Sequence, residues 1–495
     1  MVTQKLVNLK RELRIMFFKF VSPLTSLKVE GKNGSFKNRW RFSRKAKSLV
    51  VIAIICVMLV SIFAFLPKQN VSKAIIPQTI DNSPSPSATP QKINNNKNNI
   101  STPIIGLPNF NPLPTDTPTP KPPGLLASAQ TINSSVWQAV AANAWAYFQP
   151  GGGVDSTTGL PCSSGPVFTD WDLGAYIQAV IDAQKIGLID TGGPWGSYAR
   201  LDKVVTFLEN RQLNANNYPY QFYCTNGLVD YPDSYQANET VDTVDIGRLF
   251  VALNNVRNYD SNLTSGINNF VYNVYDNRSN FAALLPSIKS DVLTSTSIYS
   301  YYCSSGFASF WPNNLPNVQS TILNNIYSAG NGNVTALGNV SLPKAAITGD
   351  PLFCSIFELN NTDPRLMTLA NQVYLASAAY YNVTGHYRAF SEGPTFSGTW
   401  EWEWIVTPDG QTWILDSSNS NSIPIAYTKI ALSFLAIYNT SYSLNMSIFL
   451  ENILPNPTSG YWEGVDDAGN PLLSVGDLTN SLILDASLYA IQNNP

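Results

Sequence analysis

Residues 169–188, TDWDLGAYIQAVIDAQKIGL, place Leu, Ala, Tyr, Ile and Val on every side of a 3.6-residue period. Its charge is concentrated in the first turn, at Asp170 and Asp172. A helix that is apolar all round is enclosed by other elements rather than laid on a surface. The stretch DIGRLFVAL (245–253) reads the same way, again behind acids at Asp242 and Asp245. Two later segments, 427–439 and 478–492, open on Thr428 and Lys429 and on Thr479 and Asn480 before turning apolar.

Between these enclosed helices lie further helical segments at 134–148, 197–213, 263–275 and 365–385. The connections alternate in length: 149–168, 214–242 and 276–294 are long, and 189–196 and 257–262 are short. In a ring of antiparallel helices every second connection lies at the same end. The long loops therefore gather on one rim, where binding and catalytic groups concentrate. Capping and dipole complementarity account for Asp170 and Asp242. They account less well for Asp172 and Asp245, which sit further inside their helices.

The flanks set the compartment. The first 47 residues hold 13 of the 30 basic residues and only Glu12 and Glu30 of the 33 acids. Residues 48–66, SLVVIAIICVMLVSIFAFL, carry no charge and are long enough to span a bilayer as one helix. The basic flank orients such a signal anchor with its N-terminus inside and residues 131–495 outside. Residues 67–130 are rich in Pro, Thr, Ser and Asn, so they read as a disordered linker to a single exported domain. Twelve Asn-x-Ser/Thr sequons beyond residue 66 suggest a glycosylated surface. The acidic exported part excludes a nucleic-acid partner.

Cys162, Cys224, Cys303 and Cys354 lie in that part. Two disulfides admit three pairings. Placement of Cys162 and Cys224 on successive long loops favours Cys162–Cys224 with Cys303–Cys354. Their spacing matches no zinc pattern. VDDAGNP (465–471) offers too few oxygens for a calcium loop and reads as a turn. No metal or cofactor is expected.

The ribbon GTWEWEWIVTPDGQTWILD (398–416) alternates Trp400, Trp402 and Trp404 with Glu401 and Glu403. A strand then carries indoles on one face and carboxylates on the other, and TPDG turns it back through Trp413. At least one indole is expected to face a ligand.

Four stretches together, TDWDLGAYIQAVIDAQKIGLID, VDTVDIGRLFVAL, ANQVYLASAAYYNVTGHYRAFSEGPTF and GYWEGVDDAGNPLLSVGDLTNSLILDASLYA, resemble the family known as domain of unknown function 3131. Order and spacing match from about residue 137 to 490. The resemblance implies an (α/α) toroid related to carbohydrate-active enzymes, with the tryptophan ribbon as a small β-hairpin lid beside the cleft. The chain departs from the pattern at SEGP, where a further acid is expected after Glu392.

Glycoside cleavage requires one protonated and one ionised carboxyl. The carboxylates that match the family's motifs are Asp172, Asp245, Glu358, Glu392 and Glu463. Sugar-ring faces are apolar and stack on aromatic rings, which makes Trp171, Trp400, Trp402, Trp404 and Trp462 candidate substrate contacts, with Arg248 beside Asp245. The lone histidine, His386, has no nucleophile elbow and reads as a surface residue. The sequence therefore admits a membrane-anchored glycosidase or transglycosidase acting on surface polysaccharide. It equally admits a non-catalytic glycan-binding or structural surface protein.

Overall fold

The computed structural model describes residues 124–163, 165–230, 241–272, 280–328, 330–359, 363–417 and 422–493. The basic segment 1–47, the apolar stretch 48–66 and the linker up to residue 123 lie outside them. Among the described residues no helix is long and apolar enough to cross a membrane.

Helix α1 (Asp170–Ile186) is buried without interruption from Asp170 to Ala183. It is one of six inner helices, with α2 (Thr243–Tyr259), α3 (Ile298–Phe310), α4 (Gly349–Phe357), α5 (Thr428–Tyr438) and α6 (Asp477–Asn493). Each packs on the next, and α6 closes the ring on α1. Outer helices alternate with them along the chain, at Ser134–Trp145, Ser197–Asn210, Thr264–Tyr272, Leu285–Thr294, Val318–Ile326, Pro364–Thr384 and Ser441–Ile453. Outer segments return the chain between successive inner helices, two of them between α2 and α3, so the six inner helices run the same way. This is an (α/α) toroid.

Glycine sets the tightest contact in the ring. A Cβ on Gly306 of α3 would lie 2.0 Å from the Gly247 carbonyl oxygen of α2, and one on Gly247 would lie 2.4 Å from Cys303 Cβ. Only residues without a side chain permit that approach.

Short strands dress the end where the inner helices begin. β1 (Val167–Phe168) pairs antiparallel with β2 (Tyr223–Cys224), which joins the long connections 149–168 and 214–242 at one rim as expected. β3 (Asn333–Ala336) and β4 (Val340–Pro343) form a hairpin. β5 (Glu392–Pro394), β6 (Trp400–Val406) and β7 (Thr412–Ser417) form a sheet with β6 in the middle. β8 (Ile425–Tyr427), β9 (Gly464–Asp466) and β10 (Pro471–Leu472) form another in the order β10-β9-β8. The VDDAGNP segment is the β9–β10 turn: Asp466 Oδ1 accepts from the Ala468 and Asn470 N–H groups.

Several expectations are corrected. The linker was expected to reach residue 130, yet Leu125–Ser128 already form a helical turn. Glu451 accepts from the Leu126 N–H at 2.9 Å and so holds that turn. The expected loop 276–294 contains the helix Leu285–Thr294. Cys162, Cys224, Cys303 and Cys354 are free thiols rather than two disulfides. Cys224 points at Asp230 Oδ1, 3.7 Å away, Cys354 at Asp350 Oδ1, 3.4 Å away, and Cys303 packs against Gly247. Sharing a rim or an adjacent helix did not aim the sulfurs at one another.

Candidate functional site

Parallel inner helices bring six N-termini to one end, where partial positive charge favours acidic side chains. On α1 the cap is Thr169, whose hydroxyl accepts from the Trp171 and Asp172 N–H groups. Asp172 returns the interaction by accepting from the Thr169 N–H at 2.7 Å, which completes a capping box. Asp170 is no cap, because it forms a buried two-point ion pair with Arg211. Asp242 caps α2. Asp245 has no capping role.

One turn deeper, Arg248 is fully buried and organises the ring's interior. Its guanidinium lies 3.5 Å from Asp350 and 3.3 Å from Glu358, and its carbon sits 4.5 Å from the Trp171 ring centroid. Tyr302 donates its hydroxyl to the other Glu358 oxygen, and Lys429 pairs with Asp350. Both Glu358 oxygens are therefore occupied. Arg248 pairs across the ring rather than with Asp245, and burial removes it from the candidate substrate contacts. Glu358 is its counter-ion in the interior and does not join the other four candidate acids.

Those four, Asp172, Asp245, Glu392 and Glu463, share the N-terminal end, and Asp477 of α6 joins them. Glu392 is pushed up to about 7, first by burial and then by the negative charge of Asp350; Lys429, Tyr299 and Trp400 oppose the shift. The Trp400 indole N–H donates to Glu392 Oε2 at 3.2 Å, and the Tyr299 hydroxyl faces the same carboxyl. Asp245 is held well above the carboxylate range by burial and by Asp242, Asp172, Asp170 and Glu392. Its accessible surface shows it only half-buried, so the surrounding negative charge is the firmer cause. Burial also raises Asp172 against its hydrogen bonds to Thr169 and Ser163. Asp477 is raised by burial and by Asp172. Glu463 is raised by burial, with Lys429 and a Thr479 hydrogen bond acting against it. Of these, Glu392 is the group poised near neutrality, as general acid–base chemistry requires.

Aromatic rings line the same end. Trp171 lies 5.8 Å from Tyr299, and Tyr299 lies 6.0 Å from Trp404, centroid to centroid. On β6 the two faces separate as the alternation predicts, but the carboxylates are the buried face: Glu401 and Glu403 are fully enclosed, whereas Trp402 is 39% exposed. Trp413 packs edge-on to Tyr380 and Phe390, on the side of the core. Trp462 lines a cavity of about 240 Å³ between the inner helix α5 and the outer helix Ser441–Ile453, together with Leu432, Leu450 and Tyr461. His386 is exposed and lies 3.7 Å from Asp467. The sequence reading missed Asp350, Asp477 and Tyr299. Each sits in the first turn of an inner helix, but only the helix of Asp477 was legible in the sequence, so register could have nominated Asp477 alone.

The geometry defines the class: an (α/α) toroid whose inner-helix N-termini surround a cluster of protonatable carboxyls and aromatic rings. The endo-β-1,2-glucanase of Talaromyces funiculosus, solved with sophorose, is similar in fold, with a TM-score of 0.52 at 9% identity over 75% of this chain and 89% of that one. The endo-β-1,2-glucanase of Chitinophaga pinensis, solved with sophorotriose and glucose, gives 0.49 at 13% identity over 74% and 94%. The chain belongs to the protein family of unknown function DUF3131, whose model matches residues 139–493. No curated protein matches the sequence significantly.

Proposed function

We propose that this chain processes glycans, as a glycoside hydrolase or transglycosidase in which Glu392 supplies the proton. The observation that carries the reading is Glu392 itself. It is an enclosed carboxyl poised at about 7, held by Trp400 and Tyr299, and its charge reaches Asp245 at the same end of the ring. Protonation of the glycosidic oxygen falls to Glu392, and Asp172, whose ionised form the Thr169 and Ser163 hydrogen bonds and Arg248 favour, supplies the charged partner, as base or nucleophile. Trp400 and Tyr299 orient the acid, and Trp402 and Trp404 offer faces to a sugar ring.

The test is a polysaccharide screen of the full chain, read for new reducing ends and including β-1,2-glucans, the substrate class named for the fold neighbours. Release by the native chain and loss in Glu392→Gln support the reading. A second reading, non-catalytic glycan binding, draws on the ion-paired acids Asp170, Asp350 and Glu358. Binding without reducing-end release, unchanged in Glu392→Gln, favours that second reading. We place the domain outside the cell on a single anchor formed by residues 48–66. Protease accessibility of the domain on intact cells tests that placement.

A further inference from the structure

Behind the tryptophan face of β6 lies a second group of oxygens that the acid cluster does not use. Glu401 and Glu403 share the inner face of the strand, and both are fully buried. Glu403 Oε1 accepts from the Ile425 N–H at 2.6 Å, but its Oε2 has no partner. Glu401 accepts from Ser422. Two neutral oxygens complete the group. Ser391 Oγ and Tyr427 Oη belong to fully buried residues, and neither has a hydrogen-bond partner.

Strand register brings these four residues together. Ser391 precedes β5, and its carbonyl accepts from the Glu403 N–H at 2.8 Å. Glu401 pairs with Gly393 across β5–β6. Tyr427 ends β8 and lies over Gly393 so closely that a Cβ there would be 2.9 Å from Tyr427 Oη. Gly393 thus admits the phenol to the carboxylate face. Arg388 lies close enough for its charge to act on Glu403, but both its terminal nitrogens donate to Asp467, at 2.6 and 2.9 Å.

Two carboxylates and two hydroxyls, buried with no cationic side chain bound to them, leave a heavy desolvation penalty unanswered. Buried unsatisfied oxygens in a native fold call for a water or an ion. The donors are all oxygen, which suits a hard cation and excludes soft-metal chemistry. Among the described residues no group of three or more His, Cys, Asp or Glu side chains converges on a metal position. This group differs by combining two glutamates with hydroxyls.

We propose that Glu401, Glu403, Ser391 and Tyr427 form a buried site for a divalent hard cation of the calcium class. The ion neutralises the two carboxylates and clamps β6 to β5 and β8. Glu392 follows Ser391 and pairs with Trp402 across the same sheet, so the clamp also positions the strand that carries the candidate acid.

The test uses terbium as a calcium probe on the full chain after chelator treatment, with excitation through the tryptophans of β6. Sensitised terbium emission that calcium displaces, and a melting temperature that rises with calcium, are the expected results. The Glu401→Gln/Glu403→Gln double variant should lose the emission. Ser391→Ala/Tyr427→Phe keeps both charges and should weaken calcium affinity by about tenfold or more. That second pair decides the matter if the glutamine variant does not fold. Absence of emission and of a calcium-dependent melting shift in the native chain overturns the site. So does emission that persists unchanged in the variants, because the ion then sits elsewhere.

Discussion

Asp170 and Asp172 look interchangeable in TDWD, yet their chemistry differs completely. Asp170 is locked to Arg211, while Asp172 caps α1 and faces the acid cluster. Glu392 shows the strongest residue-level consequence. Replacing it by Gln should lower turnover about 10²- to 10⁴-fold with little change in glycan binding. Because the proton must be present, activity in the native chain should fall as pH rises through about 7. The stability effect has the same sign. The folded group binds its proton more tightly than the unfolded one, so its contribution is complete below the ordinary value of 4.5 and is lost as pH rises through about 7. Melting temperatures across that window should therefore decline less in Glu392→Gln than in the native chain. Trp402, being 39% exposed, makes a separate prediction. Trp402→Ala should shift stability by no more than about 0.5 kcal/mol while weakening glycan binding several-fold. The enclosed Trp137 should instead cost about 3 to 5 kcal/mol on truncation. Paired melting curves and binding isotherms separate the two.

At the scale of elements, the sequence revealed four of the six inner helices and missed two. α3 is IYSYYCSSGFASF, rich in Tyr and Ser, which are modest helix formers, with Gly306 in its middle. α4 spans nine residues and contains both Gly349 and Pro351. Neither shows a clear apolar period, because both are enclosed on several sides and are held by packing rather than propensity. The α2–α3 contact makes this dependence testable. Gly306→Ala pushes a methyl against the Gly247 carbonyl, and the expected loss is about 1 to 3 kcal/mol, measured by denaturant unfolding. The tryptophan ribbon was legible as an alternating strand, but its orientation was not. The Ile425 N–H, the Ser391 strand and Tyr427 all approach from distant parts of the chain, and they draw the glutamates inward.

For the molecule as a whole, Arg248 joins three inner helices through one guanidinium. Arg248→Ala leaves Asp350 and Glu358 without their shared cation inside the ring, though Lys429 still serves Asp350. The expected cost is about 3 to 5 kcal/mol, seen as a lower urea midpoint. The cysteines give a second global prediction. Cys162, Cys224, Cys303 and Cys354 should all react with a thiol reagent once the chain is unfolded without reductant, and reductant should leave the native melting temperature unchanged. The described chain thus holds its ring by helix packing and buried ion pairs rather than by covalent staples.

Read from the sequence, helices apolar on every face required enclosure by other elements, because such helices have no side to offer water, and the family resemblance turned that enclosure into a ring. Acids at successive helix starts marked the functional end for the same local reason: helix N-termini attract negative charge. The partners were left to the tertiary structure. Arg248 meets Glu358 across 110 residues, and Lys429 meets Asp350 across 79. No local pattern encodes such meetings, because a charged side chain several bonds long can reach any neighbour the ring presents. Ring closure alone chose which carboxylates are neutralised and which, like Glu392, are left to hold a proton.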